Sequence, residues 1–188
     1  MKLRCPWLNL KNKEYIEYHD NEWGIPVFDD DALFAALILE GAQAGLSWEI
    51  VLKKREEYFR YFDGLKIDAM AKISDQKLEE ALLNTGLIRN RLKIYSIKKN
   101  AVGIQDVQRI YGSFSDYLWG KVNKKPIKQN FKNIDDYPDS DDLSKEISKE
   151  LKRFRLSFVG PKIIYAYLQA IGIYQAHSID CFLGGDSC

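Results

Sequence analysis

Both histidines of this chain and two of its three cysteines lie close to its two ends: Cys5 and His19 at the start, His177 and Cys181 at the finish. If these four side chains meet, the fold must bring its termini together, which restricts the topology before any helix is placed. His177 and Cys181 are four residues apart, so on a helix or helical turn they share a face from which a thiolate and an imidazole reach one tetrahedral Zn²⁺. Cys5 and His19 would complete the set. A closed Cys₂His₂ site has no open position for water, so it would staple the ends and perform no chemistry. The competing reading is four unrelated thiols and imidazoles, because the gap from Cys5 to His19 is longer than in familiar zinc motifs.

With 188 residues, 46% of them apolar and 13% aromatic, the chain can bury a sizeable core without disulfides, as one domain or as two small lobes sharing a core. Three cysteines and the lack of a charged, apolar leader lead us to expect an unprocessed, soluble protein of a reducing, cytoplasmic compartment. No apolar run approaches the roughly 20 residues needed to cross a bilayer. The formal net charge is only +1, far from the signature of a strong nucleic-acid binder, so any such function must rest on local asymmetry. Basic clusters occur at residues 52–60, 89–99 and 149–162, while acids concentrate at 29–31 and 135–142. A lysine-rich helix face that merely keeps the protein soluble accounts for any single cluster.

Apolar residues recur at helical spacing nearly everywhere and long alternating β-branched runs are missing, so the expected fold is all-α. Three aspartates open a helix over Asp29 to Glu40, which Gly41 to Gly45 should interrupt. Ser47 is placed to cap the next, with Ile50, Val51, Leu52, Tyr58, Phe59 and Phe62 facing a core. A helix beginning at Ser74 should end at Gly86 as a left-handed cap. Asn90 to Ile110 reads as long and amphipathic, with Ile94, Ile97, Val102 and Ile104 on its apolar side, and Ser113 to Gly120 as short. Residues 124–142 read as an exposed connection. Leu143 to Phe154 and Lys162 to Ile171 are the last helices, with Pro161 suited to a first turn.

One cluster stands out: Leu39-Glu40-Gly41-Ala42-Gln43-Ala44-Gly45-Leu46-Ser47-Trp48. Here a carboxylate ends an apolar helix face and is followed by two glycines and a tryptophan. A buried acid without donors is expensive. Glu40 therefore either meets a structural partner, a helix end or an arginine, or serves an active site. Trp7, Trp23, Trp48, Tyr15 and Tyr18 are candidates to line a pocket beside it, although aromatic stripes are more often core.

Taken in order, Arg4-Cys5-Pro6-Trp7, Tyr18-His19-Asp20-Asn21-Glu22-Trp23-Gly24, Leu39-Glu40-Gly41, Gln43 to Trp48 with Leu52 to Arg55, Gly112-Ser113-Phe114, Phe158-Val159-Gly160 and His177 to Cys181 resemble the DNA-3-methyladenine glycosylase I family of the helix-hairpin-helix superfamily. The resemblance runs through essentially the whole chain. It implies one catalytic domain over residues 1–188, with two helical lobes and a structural zinc held by Cys5, His19, His177 and Cys181. It makes Glu40 the buried glutamate that hydrogen-bonds the extruded base, Tyr18 and Trp48 the rings that stack around it, and Trp7 and Tyr15 further pocket residues. Phe158 to Gly160 then resembles a DNA-gripping hairpin, with Gly160 and Lys162 at phosphates, and Leu46 is the candidate to plug the gap left by the base.

The implied activity is that of a monofunctional glycosylase, a cytoplasmic monomer acting on the nucleoid. It hydrolyses the N-glycosidic bond of 3-methyladenine in double-stranded DNA and leaves an abasic site. Two other readings compete with it. One is a non-catalytic helical module that binds nucleic acid through the hairpin and would have no use for Glu40 and its aromatics. The other is a glycosylase for a different alkylated purine. Most of the wider superfamily uses an aspartate after the hairpin helix; Asp180 lies in that region but between two of the implied ligands, His177 and Cys181, and is read as supporting the metal or facing solvent. Cys188 is left over.

Overall fold

The computed structural model describes residues 2–184; Met1 and residues 185–188, Cys188 among them, lie outside the described residues. The chain runs through α1 (Lys13–Asn21), α2 (Asp30–Gln43), α3 (Trp48–Tyr61), α4 (Ile67–Ala71), α5 (Asp75–Ala81), α6 (Arg91–Tyr111), α7 (Phe114–Gly120), β1 (Ile127–Lys128), α8 (Asp142–Arg153), α9 (Pro161–Ala170) and β2 (Tyr174–Gln175). The all-α expectation holds, with one small exception: β1 and β2 form a two-residue parallel pair, Ile127 opposite Tyr174. That pair fastens the segment after α7 to the one after α9. Among the described residues no helix is long and apolar enough to cross a membrane.

The centre of the molecule is α2, whose residues from Leu33 to Ala42 are nearly all buried, as expected of a helix surrounded by others rather than laid on a surface. It packs against α3, α6 and α7 on one lobe and against α9, which carries α8, on the other. The three aspartates at its start do more than favour the dipole. Asp29 accepts the Ala32 N–H at 2.8 Å and caps α2, Asp31 accepts the first N–H of α4 at Ile67, and Asp30 accepts the N–H groups of Phe114 and Ser115 at the start of α7. One acidic triplet thus satisfies orphan donors on three helices.

Several local expectations are corrected. The helix α2 continues through Gly41, where a Cβ would lie 3.1 Å from that of Phe158, so this glycine permits the loop before α9 to approach α2 closely and breaks nothing. Ser47 occupies the N-cap of α3 without a side-chain cap bond, and Ile50 and Phe59 are exposed. The helix from Ser74 ends at Ala81, and Gly86 instead packs under Glu57. On α6 the buried stripe is Ile94, Ile97, Ala101, Ile104 and Val107, with Val102 exposed. Residues 124–142 are only partly an exposed connection: Phe131 and Tyr137 pack together with ring centroids 4.3 Å apart, and the Tyr137 hydroxyl donates to the Ala176 carbonyl at 2.9 Å.

Candidate active site and metal centre

The short helix α1, which sequence periodicity did not reveal, brings Tyr18 and His19 into the interior. Asn12 caps it by accepting the Tyr15 N–H. His19 is fully buried, and its Nε2 lies 3.7 Å from the Cys181 Sγ; His177 Nδ1 lies 3.7 Å from that sulfur and 3.5 Å from the Cys5 Sγ. All four ligand atoms fall within 4.8 Å of one another. Zinc bonds of about 2.3 Å to sulfur and 2.0 to 2.1 Å to nitrogen at tetrahedral angles put S and N about 3.6 Å apart, the spacing of these three contacts, so the donor set suits such an ion. The final pair sits on a turn closed by the Cys181 N–H to the Ser178 carbonyl, not on a helix.

The outer partners select the right tautomers. Asp20 accepts from His19 Nδ1 at 2.8 Å and is itself gripped by both Nε and an Nη of Arg4, whose guanidinium holds the Asp20 carboxyl down at about 2. The Nε2 of His177 donates to the Trp23 carbonyl at 3.2 Å. Each imidazole therefore spends one nitrogen outside and turns the other's lone pair inward. Burial pushes His177 down to about 4, which keeps it neutral, and pushes the Cys5 thiol up to about 12, so a bound cation is what would hold it as thiolate. Asp180, by contrast, is exposed on the turn. The support role falls to Asp20, and its signal in the sequence was adjacency to His19.

Beside this cluster the rings of Trp7, Tyr15, Tyr18, Trp23 and Trp48 form a continuous aromatic wall. Tyr18 lies 5.2 Å from Trp48, Trp7 5.6 Å from Tyr15, and Trp7 4.8 Å from Trp23, centroid to centroid. The wall bounds a cavity of about 240 Å³ that also meets Glu40, Gln43, Tyr137 and Gln169. Glu40 is 5% exposed, has no hydrogen bond or ion pair among the described residues, and is raised to about 8 by burial. Burial first and Glu40 second also hold the Tyr18 phenol well above its ordinary value. Among the described residues, the Trp48 indole N–H and the Gln169 amide nitrogen are likewise buried without partners. Three unpaired polar groups around one aromatic cavity are the pattern of a site awaiting a flat polar ligand. Gln169 and Tyr137 escaped the sequence reading, the first because a glutamine on an apolar helix face reads as incidental.

A larger cavity of about 710 Å³ shares Tyr18, Glu40 and Trp48 with this one. Its remaining lining mixes apolar residues of α2, among them Ala32, Ala35, Ala36 and Leu39, with the charged side chains of Glu22, Asp29, Asp31, Arg55, Glu56 and Lys66. We place the ligand in the smaller cavity because that one has the ring faces and the unpaired Gln169 amide. Of the remaining predicted positions, Leu46 and Lys162 line, with Gln43 and Glu40, an adjoining hollow of about 230 Å³. Leu46 is 36% exposed at the tip of a turn. Lys162 reaches Asp139 at 2.6 Å, both well exposed, and a Cβ at Gly160 would meet open space. The backbone at the start of α9 is thus accessible to an approaching anion.

The family profile described as methyladenine glycosylase matches residues 7–184. The DNA-3-methyladenine glycosylase of Haemophilus influenzae is 42% identical over 184 residues, covering 96% of this chain and 97% of that protein. A crystal structure of 3-methyladenine DNA glycosylase I superposes with a TM-score of 0.93 at 39% identity, over 97% of this chain and 100% of that one. A structure describing 3-methyladenine recognition by the Staphylococcus aureus glycosylase I superposes with a TM-score of 0.93 at 34% identity, over 98% of both chains.

Proposed function

Because the chain belongs to the methyladenine glycosylase family, we propose that it is a base-excision repair enzyme, a single catalytic unit that takes 3-methyladenine out of double-stranded DNA and hydrolyses its N-glycosidic bond. The observation that carries this reading is the buried, unpartnered Glu40 carboxyl facing a cavity walled by Tyr18 and Trp48. A base inside a duplex is out of reach, and a damaged, weakly stacked one costs less to extrude. Methylation at N3 makes adenine a cation. Rings on either side favour a delocalised cation by about 0.5 to 2 kcal/mol each. Glu40 accepts from the exocyclic amine, while Trp7 and Tyr15 complete the wall.

Cleavage sends the electron pair of the C1′–N9 bond onto the base, which departs neutral. Water adds to C1′ and loses a proton, leaving an abasic site. The leaving group is already activated, so the site needs electrostatic and stacking complementarity more than a strong acid. Gly160 and Lys162 hold phosphates, and Leu46 fills the gap in the stack. The four-ligand cluster holds zinc as a structural ion: with all four positions taken by protein there is none for water, so it fixes α1 against the C-terminal turn. Incubating the protein with methylated duplex DNA and identifying the released base tests the assignment. Release of 3-methyladenine supports it, whereas release of a different alkylated purine alone, or of none, defeats it.

A further inference from the structure

The ammonium of Lys93 is buried in α6, 9% exposed, and the reaction as described makes no use of it. Its Nζ donates to the Ala42 carbonyl at 2.9 Å and to the Ala44 carbonyl at 2.6 Å, both at the end of α2 beside Glu40. The second bond falls on a turn. Gln43 to Leu46 closes with the Leu46 N–H on the Gln43 carbonyl at 2.6 Å; Ala44 has φ −45° and ψ 115°, and Gly45 has φ +75°. These are type II values, and the alternative type I turn differs by a flip of the central peptide, whose carbonyl belongs to Ala44. Glycine at the third position tolerates either sign of φ, so Gly45 allows both forms and chooses neither. The bond from Lys93 makes the choice, because a flip would turn the Ala44 carbonyl away from a buried cation.

We propose that Lys93 is a positioning residue, locking the Gln43–Leu46 turn in its type II form so that Leu46 is preset at the mouth of the base cavity before DNA arrives. The same helix reaches the hairpin: the Asn100 amide donates to the Ser157 carbonyl at 2.9 Å and accepts the Ser157 N–H at 2.8 Å. One rigid helix therefore fixes the spacing between the turn that enters the duplex and the hairpin that grips its backbone. Preorganisation of this kind matters for opening a duplex and much less for a base that is already unstacked. The inference rests on the proposed role of Leu46, and its test separates the two.

The variants are Lys93→Met, which keeps the stem and removes the charge, and Lys93→Gln, which keeps an N–H donor and guards against a failure to fold. The first measurement is independent of activity: the nuclear Overhauser contact between the Ala44 Hα and the Gly45 N–H is strong in a type II turn and weak in type I. It should weaken in Lys93→Met and be partly retained in Lys93→Gln. The second is single-turnover excision of 3-methyladenine. Lys93→Met should lose about tenfold on duplex, less than twofold on single-stranded substrate, and nothing in affinity for free 3-methyladenine. An unchanged Overhauser contact in Lys93→Met, or equal losses on the two substrates, overturns the proposal. A duplex rate unaffected by Leu46→Ala in the wild-type background removes the plug assignment alone, and the Overhauser contact still decides whether Lys93 sets the turn.

Discussion

Tyr18 and His19 are consecutive on α1 and face two different sites: the Tyr18 ring lies 5.2 Å from Trp48 at the base cavity, while the His19 Nε2 points at the Cys181 Sγ 3.7 Å away. Trp7 joins the two, 5.3 Å from His19 and 5.6 Å from Tyr15. A short helix of nine residues is marginal alone, so packing must hold it. A metal held by Cys5, His19, His177 and Cys181 would tie α1 to the far end of the chain, and with it the wall of the cavity.

Loss of the metal should therefore lower stability and base affinity together. The purified protein should hold about one equivalent of zinc. For an ion present at 100 to 1,000 times its Kd, binding stabilises by about 2.7 to 4.1 kcal/mol, or roughly 5 to 16 °C in Tm. Cys181→Ser should show a drop of that size by calorimetry with reduced binding of free 3-methyladenine. Zinc-free protein, prepared without chelators, with full stability would sink this prediction.

Asp20 should tune the ion from outside. It fixes the His19 tautomer while Arg4 fixes Asp20, and removing such a partner typically costs 10- to 100-fold in metal affinity. Asp20→Asn should weaken zinc by about that factor in a chelator competition. Asp180→Asn, at an exposed position on the turn, should leave affinity within twofold.

The ionisation of Glu40 sets a pH dependence. Burial raises its carboxyl to about 8, so the free protein holds it largely protonated at neutral pH, whereas a cationic base favours the carboxylate. The kcat/KM for 3-methyladenine should rise with pH toward about 8 and flatten above it, and Glu40→Gln should abolish the rise. Folded Glu40 binds its proton more tightly than the unfolded chain does. Its stability cost is therefore absent at low pH and grows as pH climbs from about 4.3 through 8. Glu40→Gln should gain about 1 to 2 kcal/mol, roughly 2 to 8 °C, at pH 9 and little at pH 4. Melting curves at the two pH values check the sign.

How much of this was legible in the sequence follows from which residues carry a local signal. Helix starts at Ser74, Asn90 and Ser113 are written in short-range pattern, and each of these residues caps its helix; of the α6 stripe, Ile94, Ile97 and Ile104 are buried and Val102 is not. Motif order singled out Glu40, the aromatics and the group of Cys5, His19, His177 and Cys181, which the structure brings together. The misses are tertiary. Gly41 and Gly86 serve close packing where chain breaks were expected, a difference that depends on Phe158 and Glu57 far along the chain. Tyr137 and Gln169 meet the cavity from a polar connection and an apolar helix, where neither composition points to a ligand.

DNA affinity should be weak and salt-sensitive. Lys162 is paired with Asp139 at the surface, a contact of at most about 1 kcal/mol that a phosphate can replace. Lys162→Glu should weaken binding to damaged and undamaged duplex alike and reduce the salt slope by about one, while Asp139→Asn should leave binding equal or slightly tighter. Titrations at several salt concentrations decide it, and a Lys162→Glu variant defective on the lesion alone would contradict the phosphate role.

The central claim is that Glu40 recognises the extruded cationic base. Its most direct test is single-turnover excision of 3-methyladenine from a defined duplex by Glu40→Gln, with zinc content and duplex affinity measured on the same preparation. Loss of a charge-assisted hydrogen bond that tightens in the transition state costs about 1.5 to 3 kcal/mol, so excision should fall roughly ten- to a hundred-fold while duplex binding changes much less. A wild-type rate in Glu40→Gln, together with abolished excision in an Asp180→Asn variant that still holds its zinc, would contradict the account and move the chemistry to the aspartate.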